Sequence, residues 1–268
     1  MDLIQRLGLG FVLSFLIGCA GYRREALTRS GWLGAVLVGA SILGFSGLEG
    51  GLLLIAFFIS SSLLTRYKEY AKREVAENFA KGGPRDLMQA LANGGSAALA
   101  AILSAFSAPQ YVAPLFAALI GALATANADT WATELGVLSK HAPRLIINAR
   151  IVAPGTSGGV TWLGTLAALS GAGLIATLAA LFRNDVRLLP IGLVAGLAGS
   201  LFDSLLGATL QGLYYSETRE KETEKPVERD GARNRHLRGW TWMTNDVVNL
   251  LATLAGALVA YGLAAGWR

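Results

Sequence analysis

Apolar positions in this chain run in unbroken blocks instead of alternating with polar ones, and the blocks are long enough to cross a bilayer. They extend approximately over Leu3 to Ala20, Gly31 to Phe45, Gly50 to Leu64, Leu87 to Phe106, Tyr111 to Ala128, Val160 to Phe182, Leu188 to Leu210 and Val247 to Ala265. A transmembrane barrel would show segments of about ten residues with every second position polar. The pattern instead predicts an all-α chain, a polytopic integral membrane helix bundle of about eight helices. The second and third blocks are short, and Gly47-Leu48-Glu49-Gly50-Gly51 between them reads either as a tight hairpin or as a bend inside the layer, which would leave seven spans.

Composition agrees. Hydrophobic residues make up 53% of the 268 and charged ones 15%, with a mean hydropathy of +0.48, outside the range of an ordinary soluble domain. The 33 glycines, many inside apolar runs, suit membrane helices that approach closely through small faces. The one cysteine, Cys19, rules out an internal disulfide and a thiolate metal site, and with only His141 and His236 a zinc site is not expected. Leu16-Ile17-Gly18-Cys19 resembles a lipoprotein cleavage site, a match that chance produces in any apolar helix. No Arg-rich transit segment precedes the first block, which points to a prokaryotic chain or a mature form.

Charge sets the expected orientation. With eight spans, alternate loops collect 19 of the 23 basic residues, and only Arg6, Arg183, Arg187 and Arg268 fall on the other side. The rule that cytoplasmic loops are basic then puts all long loops in the cytoplasm and both termini outside, in a prokaryotic inner membrane or a thylakoid. Orientation and anionic lipid account for the pI near 9.5, so no nucleic-acid partner is needed. The chain reads as a single transmembrane domain, with residues 1–65 as N-terminal spans and 72–260 as a motif-bearing core.

Five stretches on one side carry polar residues where a plain span would have none: Lys81 to Asp86 with Asn93, Asn127 to Glu134, Pro154 to Gly159, Asp203-Ser204, and Asn245-Asp246 with Asn249. Asp86 fits an N-cap as well as a site, and so do Asn245 and Asp246. Asn93 and Asn249 lie farther into apolar helices, where an unsatisfied amide is costly. In the fifth block Asn127, Thr130 and Glu134 share one helical face while Thr125, Asp129 and Thr133 share another, so no single partner serves both. The seventh carries Gly192, Gly196, Gly199, Asp203 and Gly207 at helical spacing, a groove that packing explains without explaining Asp203. An aspartate near mid-helix costs about 2.5 to 3.5 kcal/mol and is kept mostly for ions, protons or substrate.

Gly155, Thr156, Ser157, Gly158 and Gly159 open the sixth block, where backbone amides and a helix N-terminus would favour an anion. The chain has no G-x-x-x-x-G-K-[ST], so this is not a P-loop. Lys81 and Arg85 supply cations on the same face, and Asp129, Asp203 and Asp246 supply possible metal ligands. Carboxylates beside a glycine-lined cradle suit Mg²⁺ and a polyphosphate. A partial repeat, Asp then a hydroxyl at Asp129-Thr130 and at Asp203-Ser204, each following a span opened by paired glycines, suggests duplicated helical hairpins.

The blocks "KGGPRDLMQALANGG", "ATANADTWATELG", "PGTSGGVTWLG", "GSLFDSLLGATLQ" and "TNDVVNLLA" together resemble, in order, the motifs of a multi-pass membrane family. That family includes the plant and cyanobacterial phytyl-phosphate kinase of tocopherol synthesis. The likeness covers about Lys72 to Ala260; the first three spans match only in hydrophobicity. The resemblance implies phosphoryl transfer from a nucleoside triphosphate, CTP or ATP, to phytyl or another prenyl monophosphate, giving the diphosphate. Asp129, Asp203 and Asp246 would then hold Mg²⁺, Lys81, Arg85 and the Gly155 to Gly159 amides would bind triphosphate, and Asn93, Asn127 and Asn249 would orient metal or phosphate. Asp86, Glu134, Ser204 and Asn245 complete the candidate set. Neither the prenyl chain nor the oligomeric state is written in these blocks. Two rivals stand beside this reading: a transporter or channel for a small anion or lipid phosphate, and a structural scaffold, which the buried polar residues oppose.

Overall fold

The computed structural model describes residues 3–76, 83–228 and 230–267. It is a helix bundle: α1 (Leu3–Arg23), α2 (Arg29–Arg66), the short α3 (Glu69–Ala76), α4 (Leu87–Phe106), α5 (Pro109–Gly136), α6 (Trp162–Arg183), α7 (Leu188–Thr209) and α8 (Asn245–Gly266). All but α3 are long and apolar enough to cross a membrane. Two small antiparallel sheets sit in the loops, β1 (Arg144–Leu145) with β2 (Gly159–Val160), and β3 (Leu213–Ser216) between β4 (Lys221–Thr223) and β5 (Arg235–Arg238).

α2 resolves the question of the second and third blocks. Its 38 residues contain one non-helical position, Gly47, at φ 78° and ψ −166°, a conformation that a side chain would oppose. The chain folds back there. A Cβ on Gly51 would run into Leu43, and one on Gly39 would lie 3.8 Å from Leu54; in a straight helix Gly39 and Leu54 would be roughly 22 Å apart. The arms therefore lie side by side, and each, with about five turns, spans a bilayer core. Seven long helices thus make eight crossings.

The same contacts order the two faces of the bundle. Leu7 of α1 meets Gly44 near the α2 tip, and Gly121, in the first half of α5, meets Ala260 near the end of α8, so both chain ends lie on one face. Arg183 at the end of α6 pairs with Glu49 beside the α2 tip at 2.5 Å on that same far face. The connections carrying the sequence motifs all lie on the other, here termed the loop face.

α5 is the central helix, packed against α2, α4, α6, α7 and α8. Its residues Phe116 to Ala128 are buried without a break, which is why it carries polar residues on more than one face: each face meets a different neighbour. Thr125 donates to Ala195 O of α7 (3.3 Å). Asn127 donates to Gly171 O of α6 (2.8 Å) and accepts from Ser60 of α2 (3.0 Å). The glycine row on α7 serves packing: Gly192 faces Ala176, Gly196 faces Ala172, and Gly199 faces Thr125. The surrounding core is rich in alanine, with Ala97, Ala117, Ala122, Ala124 and Ala172 fully buried, so helices approach closely with little bulk between them.

The stretch from Tyr214 to Arg238, which matches no motif, contributes β4, β5 and most of β3. Arg219 bridges Glu228 at 2.9 Å inside it, and Asn234 donates to Lys225 O and to Glu228.

Candidate active site

α5 does not end at the last apolar residue. It runs on to Gly136, so "NADTWATE" is helical, and Asp129 projects from a continuous helix at the loop-face end of the bundle. α7 runs in the same direction and brings Asp203 to a matching depth, as the partial repeat anticipates. Both aspartates line one cavity of about 1270 Å³. Asp203 feels the negative charges of Asp129 and Glu224, and its Oδ2 is buried with no hydrogen-bond partner among the described residues.

The cavity collects most of the candidate set. Arg85, Asn93, Glu134, Ser204, Asn245, Asn249 and the whole segment Gly155, Thr156, Ser157, Gly158 and Gly159 line it together with Asp129 and Asp203. The glycine segment is held by geometry that needs its glycines. Gly158 has φ 81° and presses on α7, where a Cβ would stand 2.5 Å from that of Ala208. Ser157 donates to Glu224 at 2.6 Å, tying the segment to the end of β4. Two of its amides close the turn, Thr156 to Ala153 O and Gly159 to Thr156 O, and those of Gly155, Ser157 and Gly158 have no backbone partner among the described residues. The helix dipole is not part of this cradle, because β2 intervenes and Thr161 caps α6 by accepting from Gly164 N.

Arg85 is pinned at both ends. Its backbone bonds to Ala26 O and accepts from Thr28 N. Its guanidinium donates to Ser62 at 3.0 Å and lies 5.9 Å from the centre of the Phe58 ring. Burial pushes that guanidinium below the usual arginine range, and the charge of Glu134 opposes the shift.

Three expected site residues lie off the cavity, and a fourth, Glu134, is spent on other partners. Asn127 is fully buried, is spent on Gly171 and Ser60, and does not line the cavity. Asp86 caps α4 in a reciprocal pair with Gln89, and it too lies off the cavity. Asp246, buried in the first turn of α8, is also not among the lining residues. No group of three or more metal-ligating side chains forms among the described residues, so the expected three-aspartate cluster reduces to Asp129 and Asp203. Glu134 does line the cavity, but both its oxygens are engaged: Thr65 donates at 2.7 Å and Lys72 at 2.5 Å. Lys81 lies outside the described residues.

Sequence reasoning missed three residues. Lys72, 6% exposed, is the buried partner of Glu134 and also donates to Leu64 O and Thr65 O. Glu224, which accepts from Ser157 and lines the cavity, comes from a loop that carries no motif. Gln211, 3% exposed, borders the cavity with its Nε2 unpartnered among the described residues. Only Gln211, a polar residue just past a glycine-rich helix, offered a signal.

The model of the integral membrane protein family DUF92 matches residues 12–257. The chain belongs to the DUF92 family. The match reaches into the first three spans, beyond the stretch where motifs alone carried the resemblance. Among DUF92 relatives, Protein PGR of Arabidopsis thaliana is 36% identical, covering 93% of this chain and 93% of its own length. An uncharacterised membrane protein of Methanocaldococcus jannaschii is 32% identical, covering 97% and 94%. The chloroplastic protein VTE6 of Arabidopsis thaliana is 28% identical, covering 87% of this chain and 64% of its own length. No solved structure matches this DUF92 chain. It is an integral, multi-pass membrane protein.

Proposed function

We propose that this DUF92 protein is a membrane-embedded prenyl-phosphate kinase, transferring a phosphoryl group from CTP or ATP to phytyl or a related prenyl monophosphate. The observation that carries the reading is the gathering, in one cavity at the loop face, of two carboxylates from different helices, a glycine-rich segment with amides to offer, and a fixed guanidinium. The motif resemblance supplies the substrate class.

The residues present fit Mg²⁺, which binds through one or two carboxylates and takes further ligands from phosphates. Asp203 Oδ2, buried and without a hydrogen-bond partner among the described residues, and Asp129 in the same cavity would hold the ion, whose chemistry there would be to neutralise charge on the phosphates. Gly155, Ser157 and Gly158 bind triphosphate oxygens through their amides. Arg85 takes the acceptor phosphate, and Asn93, whose amide donates back to Gln89 O at 2.9 Å, keeps its carbonyl oxygen for a ligand. An ionised phosphate is already a nucleophile, so alignment and charge neutralisation suffice and no general base is required. In this reading the loop face is cytoplasmic, where nucleotide is available. Near the middle of α5, Leu119, Ile120 and Leu123 are fully buried, an apolar stretch on the far side of the polar site, which favours chemistry over passage.

The test is to reconstitute the protein in vesicles with Mg²⁺, γ-labelled CTP or ATP and a series of prenyl monophosphates. Labelled prenyl diphosphate is expected. Movement of phosphate or prenyl phosphate across the vesicle wall with no labelled lipid would replace the kinase by the transporter.

A further inference from the structure

The kinase reading leaves the hydrocarbon chain of the acceptor without a place. A second cavity, of about 80 Å³, lies between the two arms of α2, flanked by α1 and α4. Its deep walls are apolar, with Val38, Leu43, Leu54 and Phe57 among them. Its other end is formed by Arg85, Gln89 and Asn93, and these same three residues line the large cavity. The slot thus adjoins the polar site at its cationic corner, and its lining runs from Leu27, at the loop face, to Leu43 near the tip of the hairpin, roughly 20 Å into the bundle.

We propose that this slot holds the isoprenoid chain of the lipid-phosphate substrate, with Arg85 binding the phosphate where the two cavities meet. The proposal rests on the kinase reading for its choice of lipid, and the page supplies two reasons for the occupant. First, adjacency: Arg85 lines both cavities, so a phosphate bound there lies at the end of the slot. Second, complementarity: the charged head meets the Arg85 guanidinium, which lines both cavities and is held by Ser62 while the Arg85 backbone is fixed by Ala26 and Thr28, and the tail meets a wall with almost no polar atoms. Burial of methylenes in such a wall is the expected source of chain-length preference.

Ala35→Phe and Ile55→Trp each narrow the slot without touching Asp129, Asp203 or the glycine segment. With phytyl monophosphate as acceptor, KM should rise about tenfold or more, the effect of displacing about two methylenes. With a monophosphate of a single isoprene unit, too short to enter the slot, KM and kcat should be unchanged, which also shows that the variants fold. Equal loss with both acceptors, or no loss with either, overturns the proposal. A prenyl monophosphate bearing a diazirine at the end of its chain gives a readout that needs no turnover. Photolabel on the α2 arms, α1 or α4 supports the slot; label on α6 to α8, or none, overturns it. Labelling of the slot without labelled diphosphate in the transfer assay would refute the kinase and leave the lipid site standing.

Discussion

Glu134 separates a clamp from a ligand. Its two oxygens hold Thr65 and Lys72, at 2.7 and 2.5 Å, and the Lys72 and Glu134 side chains are 7% and 18% exposed. Lys72 also donates to Leu64 O and Thr65 O, so α3 is anchored to the ends of α2 and α5 by one buried ammonium. Glu134→Gln keeps the shape but leaves that ammonium without its counter-charge. Breaking a buried pair from one side costs about 3 to 5 kcal/mol, and in a chain of this size each kcal/mol moves a melting temperature by about 2 to 4 °C. The apparent melting temperature of the detergent-solubilised protein, followed by tryptophan fluorescence, should fall by roughly 6 to 20 °C. The double variant Lys72→Met with Glu134→Leu removes both charges and should recover most of the loss. If Glu134 is only a clamp, the double variant also keeps its KM for nucleotide. A fall below about 2 °C in the single variant, or a recovered fold with nucleotide binding lost, would refute the clamp.

Asp129→Asn should abolish turnover, by at least about a hundredfold in kcat, in a protein that inserts and purifies normally; retained turnover removes Asp129 from the site. Gly199→Ala sets a methyl against the Thr125 side chain and should cost about 1 to 3 kcal/mol of stability, recovered in part by Thr125→Ala, as melting curves of the two proteins would show. Burial would raise the Glu228 carboxyl, but hydrogen bonds from Ser216, Asn234 and Arg219, with the charge of Arg219, outweigh it and hold the group below its ordinary value of 4.5. A depressed carboxylate contributes stability above its unfolded value and loses it as pH falls through the folded one. Amide exchange across β3 to β5 should therefore quicken as pH drops below about 4.5, relative to the intrinsic rate, and Glu228→Gln should flatten that dependence.

Much of the fold was legible because lipid leaves a chain few options. Block length gave α4 at its observed ends and α6 and α7 to within about two residues, and the glycines at 47, 50 and 51 marked the turn of α2 without deciding between bend and hairpin. That decision needed the contact of Gly51 with Leu43, which no local pattern encodes. At the site, singling out polar residues within apolar blocks found Asp129 and Asp203, which line one cavity. It failed for Asn127 and Asp246. A polar residue on a central helix looks the same whether it faces a cavity or a neighbour's carbonyl, and only packing separates the two. Lys72 and Glu224 were out of reach for another reason: each sits in sequence among many charges, and only the burial of Lys72 and the contact of Glu224 with Ser157 distinguish them.

The account stands on two carboxylates from different helices sharing one divalent cation, and Mn²⁺ in place of Mg²⁺ makes that directly measurable. Titration of the purified protein with Mn²⁺ in the presence of CTP or ATP, read by electron paramagnetic resonance, should show tight binding that weakens at least about tenfold in Asp129→Asn and in Asp203→Asn and is unaltered in Asp246→Asn. Wild-type affinity in both of the first two variants would contradict it.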